Sequence, residues 1–150
     1  MIDVRVLAAT DVPLLERVAP GLFDKRIRRE LATEFLNDPR HHVVAAIDGD
    51  VVVGFVSAVH YVHPDKPTEL WINEVAVAPS HRGRGLSKAM LREVLALAER
   101  LGCTEAWVLT DRRNVPAMRA YAAVGGIESA PQIMFTFRLH GGAPPRTEAD

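Results

Sequence analysis

Residues 69–101, ELWINEVAVAPSHRGRGLSKAMLREVLALAERL, decide the fold. Leu70, Ile72 and Val77, with Trp71, Val75 and Ala76 between them, are the β-branched and aromatic types that fill a strand buried on one or both faces. Leu86, Ala89, Met90, Val94, Leu97, Ala98 and Leu101 recur at three- and four-residue steps. That is the apolar stripe of an amphipathic helix, and Gly102 ends it. Between strand and helix runs Pro79-Ser80-His81-Arg82-Gly83-Arg84-Gly85. A loop feeding a helix N-terminus leaves backbone N–H groups without partners, and glycines let the chain close around an anion without a Cβ in the way. The unit predicts a phosphate cradle.

The cradle is of neither the Walker nor the dinucleotide type, because Gly83-Arg84-Gly85-Leu86-Ser87 fits neither spacing. It resembles the acyl-coenzyme A loop of the GNAT superfamily of N-acetyltransferases, Arg/Gln-x-x-Gly-x-Gly/Ala, with Arg82 first, Gly85 in the middle and Ser87 at the last small position. The resemblance implies acetyl-coenzyme A as cofactor. Its pyrophosphate would lie on the amides of residues 84–87, with Arg82, Gly83, Arg84, Gly85, Leu86 and Ser87 around it and Val75 and Val77 alongside. The chemistry that the resemblance implies would have the Val77 N–H help hold the thioester carbonyl oxygen.

A second segment, Asn114-x-x-Ala117-x-x-x-Tyr121-x-x-x-Gly125, is similar to the family's Asn-x-x-Ala-x-x-x-Tyr-x-x-x-Gly-Phe, with Gly126 where the aromatic stands. Ala117 and Tyr121 are four apart and share one helix face. By spacing alone Tyr121 is a core tyrosine with a bonded hydroxyl or an acid. The resemblance implies that Asn114 contacts the pantetheine arm and that the Tyr121 hydroxyl protonates the departing thiolate.

Around these motifs the chain reads as one domain over residues 1–139, with residues 140–150 as a disordered tail. Residues 2–8 alternate as a first strand. Thr10 and Asp11 cap a helix that Pro20-Gly21 ends, and Asp24 opens another carrying Ile27, Leu31, Phe35 and Leu36. Residues 42–47 and 51–61 are Val-rich strands joined by Asp48-Gly49-Asp50, a hairpin signal. Strands over 106–110 and 133–139 flank a helix over 114–124. This order predicts an α/β fold, a mixed and mostly antiparallel sheet flanked by helices, which is the GNAT acyl-CoA N-acyltransferase fold that the resemblance implies.

Composition closes several alternatives. A net charge of -1 in 150 residues gives no general affinity for nucleic acid. The lone Cys103 allows neither an internal disulfide nor a cysteine metal site, and the histidine pairs His41/His42 and His60/His63 lack a completing carboxylate, so no metal is expected. There is no apolar run of membrane-spanning length and no signal peptide, so cytoplasm is the expected compartment. The basic run of residues 25–29 reads as a solvated helix face first and a ligand contact second.

An amine attacking a thioester needs a neutral nitrogen, support for the developing oxyanion and a proton for the sulfur. Glu74 is either the general base or a structural ion-pair partner. Strict alternation puts it with Ile72 and Ala76, opposite Val75 and Val77, where an apolar strand would desolvate it and raise its pKa. Residues 36–77 further resemble the small aminoglycoside 3-N-acetyltransferases, which carry Asp at the positions of Glu74 and of Asn114. That implies an aminoglycoside antibiotic as acceptor, acetylation at the 3-amino group, antibiotic resistance as the role, and a homodimer. Asp65 and Glu69 are the expected acceptor contacts. Another small amine, a polyamine or a protein amine keeps the chemistry. A non-catalytic acyl-coenzyme A-binding module is the alternative from another class, and it would need neither Glu74 nor Tyr121.

Overall fold

The computed structural model describes residues 1–141. Five strands, β1 (Asp3–Val6), β2 (His41–Asp48), β3 (Val51–Tyr61), β4 (Glu69–Val77) and β5 (Glu105–Val108), form one sheet in sequence order. Neighbours are antiparallel from β1 to β4, and β5 joins β4 in parallel. Three α-helices accompany them, α1 (Arg29–Asn37), α2 (Leu86–Arg100) and α3 (Val115–Ala123), with 3-10 helices at Ala9–Glu16 and Pro79–His81. Among the described residues no helix is long and apolar enough to cross a membrane.

The helical stripe read from residues 86–101 packs on one face of the sheet through Leu86, Met90, Val94 and Ala98, joined by Leu91, while Leu101 at its end is exposed. Gly54 lets α2 come close, since a Cβ there would lie 3.0 Å from the Met90 methyl. On the opposite face Phe23 stacks on Phe55 at 4.1 Å, and α1 packs over β2. On the α2 face, at the far end of β2 and β3, His42 Nε2 and His60 Nδ1 share a hydrogen bond of 2.7 Å.

Cross-strand pairing assigns the faces. Ala58 stands opposite Ile72 but Ser57 stands opposite Glu74, so Asn73 is an extra residue, a β-bulge. Directly paired residues share a face and successive residues alternate. Glu74 therefore lies with Ala76, Phe55 and Ser57 on the face away from α2, while Ile72, Val75 and Val77 lie on the α2 face. The alternation expected to pair Glu74 with Ile72 is broken by one inserted residue.

Three other expectations differ. The first helix is a 3-10 helix: Pro13 lies inside it, and the Asp11 carboxylate accepts the Ala8 N–H at 2.7 Å and pairs with Arg5. The second begins at Arg29 rather than Asp24, because Leu22 and Phe23 are drawn into the core just before that point. Residues 133–139 form no strand, and Ile133, Phe135, Phe137 and Leu139 are 75–81% exposed. A period-two pattern makes a strand only where a neighbour takes its backbone groups, and this segment forms no ladder with β5. The tail expected at residues 140–150 lies, from 142 onward, outside the described residues.

Candidate active site

Parallel pairing of β4 with β5 runs from Glu69↔Glu105 to Ile72↔Val108 and stops there. Beyond the bulge, β4 keeps β3 on one side and has no β5 partner on the other. Successive residues turn their N–H and C=O to alternate strand edges. The Ala78 N–H donates to Val53 O at 2.8 Å, on the β3 side, so Val77 and Val75 turn theirs to the open edge. Consistently, Val77 O accepts from Arg82 Nε at 3.3 Å.

The same edge leads into the cradle. Gly83 and Gly85 both sit at φ +75°, a left-handed conformation that other residues adopt only with strain. A Cβ at either would meet nothing within 4 Å, so backbone angle and not crowding calls for glycine. Gly85 is the N-cap of α2 and supplies no side-chain oxygen, and no acidic residue occupies the first turn. The first amides of α2 thus have no competing carboxylate, and the helix dipole adds positive potential at the same point. Ser80 and Asp48 hold His81 from both ring nitrogens, at 2.7 and 3.0 Å, which anchors the turn into the loop. The hydrogen bond from His81 is the largest cause holding the Asp48 carboxyl below its ordinary range.

Asn114 caps α3, its side-chain oxygen accepting the Ala117 N–H at 3.3 Å. That leaves its NH₂ to donate elsewhere. The turn before it is pinned by Asp111, whose carboxylate takes the Arg113 side chain and backbone N–H and is pushed down to about 2. Tyr121 is half-buried on α3 against the core, and burial raises its pKa. A raised value keeps the phenol protonated at neutral pH, as an acid must be. Glu74 is exposed at the bulge rather than enclosed by the strand.

The two expected acceptor contacts part company. Asp65 is exposed on the loop before β4. Glu69 is held at the start of β4, with Tyr61 donating to one oxygen at 3.3 Å and His63 beside the other at 3.1 Å. Sequence reasoning missed what surrounds it. Trp107 Nε1 donates to the Tyr61 hydroxyl at 2.6 Å, and the Trp71 and Trp107 rings stack at 5.7 Å. Only the parallel register Trp71↔Trp107 brings the indoles together, and no motif encodes that register.

A mixed sheet that opens between two parallel strands beside a glycine-led helix is the architecture of an acyl-transferring α/β enzyme. The model of the acetyltransferase (GNAT) family matches residues 12–125, and the chain belongs to that family. It is 34% identical over 97 residues to the streptothricin acetyltransferase of Streptomyces lavendulae, 62% of this chain and 49% of that protein. The chain thus spans about half the length of that relative. An aminoglycoside acetyltransferase from an uncultured soil metagenomic sample, in complex with sisomicin, superposes with TM-score 0.80 at 17% identity, over 92% of this chain and 96% of that one. The enzyme AAC(6′)-Iy with a coenzyme A bisubstrate analogue gives TM-score 0.75 at 22% identity, over 93% and 99%. At these identities the solved structures share the fold.

Proposed function

We propose that this chain transfers the acetyl group of acetyl-coenzyme A to a primary amine by direct attack on the thioester, with an aminoglycoside antibiotic as acceptor. The observation that carries the reading is the parting of β4 from β5 after Ile72 and Val108, which turns the Val75 and Val77 backbone toward a gap that ends at the uncapped N-terminus of α2. A pantetheine arm fits such an edge as an added strand, and a pyrophosphate fits the amides of residues 84–87 with Arg82 and Arg84 on the loop. Asn114 offers its NH₂ to the arm.

Bound acetyl-coenzyme A supplies an activated acyl group. Glu74 takes the proton of the incoming ammonium, directly or through one water, from the face away from α2. The Val77 N–H supports the developing oxyanion, and Tyr121 holds a proton for the sulfur. Tyr121→Phe should lower kcat about 10- to 100-fold with the KM for acetyl-coenzyme A little changed. An unchanged pH–rate profile in that variant would remove Tyr121 from the mechanism.

The aminoglycoside reading rests on the resemblance of residues 36–77 and on the company of solved structures that share the fold. The resemblance implies the 3-amino group, whereas the name of one fold neighbour carries the 6′ designation. Product analysis by NMR assigns the nitrogen. The deciding experiment is release of free thiol from acetyl-coenzyme A across gentamicin, sisomicin, apramycin, spermidine and small amino acids. Turnover far faster with the deoxystreptamine antibiotics than with spermidine or the amino acids supports the proposal. Turnover confined to other amines moves the acceptor, and none with any amine overturns the transfer reading.

A further inference from the structure

Trp71 and Trp107 are both half-buried, yet neither is among the apolar side chains that pack against the core cluster. They pack on each other, with planes 21° apart. Core tryptophans anchor a fold by filling it, and these two form a small aromatic platform outside it.

The platform has a defined place. Val59 stands opposite Trp71 and Ser57 opposite Glu74, and Val59 and Ser57 share a face, so Trp71 and Glu74 do too. α1 and the first 3-10 helix pack over β2 and β3, away from β5. Because of the bulge, the partners of Trp71 and Glu74 are only two residues apart on β3 and those of Glu69 and Glu74 four, so Trp71 lies about 7 Å and Glu69 about 13 Å along the sheet from Glu74.

The platform also has a sign. Trp107 donates to Tyr61, Tyr61 donates to Glu69, and His63 braces the second Glu69 oxygen, so the carboxylate is fixed in orientation beside the indoles. A carboxylate offers about four lone-pair sites, and these contacts use two of them. An indole face attracts a cation through its ring quadrupole, and a fixed carboxylate adds to the attraction. An apolar acceptor would gain from the rings but would have to strip water from Glu69. A second ammonium of the acceptor matches both.

We infer that Trp71, Trp107 and Glu69 form a second cation subsite on the Glu74 face, selecting di- and polyamines whose far ammonium lies about 7–13 Å from the nitrogen that is acetylated. The inference rests on the proposed transfer reaction and names the determinants of its acceptor class. It also places Glu69 in a role that Asp65, out on the loop, does not share.

The chain contains two tryptophans, and both lie in this platform, so its intrinsic indole emission reports the subsite and little else. The full-length protein without acetyl-coenzyme A is titrated with spermidine, sisomicin and the monoamine propylamine, and KM is then measured for each. Expected is a saturable emission change with spermidine and sisomicin at concentrations at least about tenfold below those needed with propylamine, with the same order in KM. Glu69→Gln, which preserves shape, and Trp71→Leu should each shrink the spermidine-to-propylamine ratio of kcat/KM about tenfold, with a thermal melt reporting the fold. Turnover of spermidine with emission unmoved, or equal KM for spermidine and propylamine, overturns the subsite and leaves the transfer reading intact. Emission that responds to polyamines while no amine is acetylated keeps the subsite and overturns the transfer reading.

Discussion

Glu74→Gln should lower kcat for acetyl transfer about 100- to 1000-fold while leaving acetyl-coenzyme A affinity within about twofold. The substitution keeps the shape of the side chain and removes its ability to accept a full proton. An alkylammonium near neutral pH is almost entirely charged, so an enzyme without a base must wait for the rare neutral form. The variant should therefore regain rate as pH rises, about tenfold per unit while the amine remains mostly protonated. Glu74 is exposed on the face opposite the buried Ile72, so its loss should leave the melting temperature nearly unchanged. Equal losses in rate and cofactor affinity, with a flat pH response, would mark Glu74 as a structural ion-pair partner instead.

Phe55→Ala should destabilise the domain by about 3–5 kcal/mol, read as a shift in the urea midpoint. Phe55 is 2% exposed and lies face to face with Phe23 at 4.1 Å. The variant loses transfer energy, opens a cavity and breaks an aromatic pair. Domains of this size carry only about 5–15 kcal/mol in total, so the loss is a large part of the whole. Phe55 also stands opposite Ala76, two residues beyond Glu74, and its removal loosens the strand that presents the base. A shift below about 1 kcal/mol would mean that Phe23 and its loop collapse into the vacated space.

Both effects depend on features of different legibility. The helical stripe from Leu86 to Leu101 and the Gly83/Gly85 pair were readable because helix period and glycine backbone freedom are local properties. The same holds for the hairpin at Asp48-Gly49-Asp50, where Gly49 takes φ +64°. The side of the sheet that carries Glu74 was not. Asn73 and Glu74 are both polar, so the letters do not say which of the two is the extra residue and which keeps its place in the alternation. The Trp71 and Trp107 pair was hidden for a related reason: parallel register is set by a crossover through α2, not by neighbouring residues. Residues 133–139 erred in the other direction, a strand pattern without a strand partner.

The linked imidazoles of His42 and His60 give the protein a limit toward acid. Burial first, then the neighbouring His60 and His41, push His42 down to about 4, with Asp38 opposing weakly. The unfolded chain takes up that proton near pH 6.5, so between about 6.5 and 4 the unfolded state binds more protons and folding weakens as pH falls. Half-exposure and solvent screening reduce the loss to on the order of 1–2 kcal/mol. His42→Phe should flatten the decline in melting temperature over that window and leave the value at pH 8 comparatively unchanged. An unaltered pH dependence would move the acid sensitivity to another group.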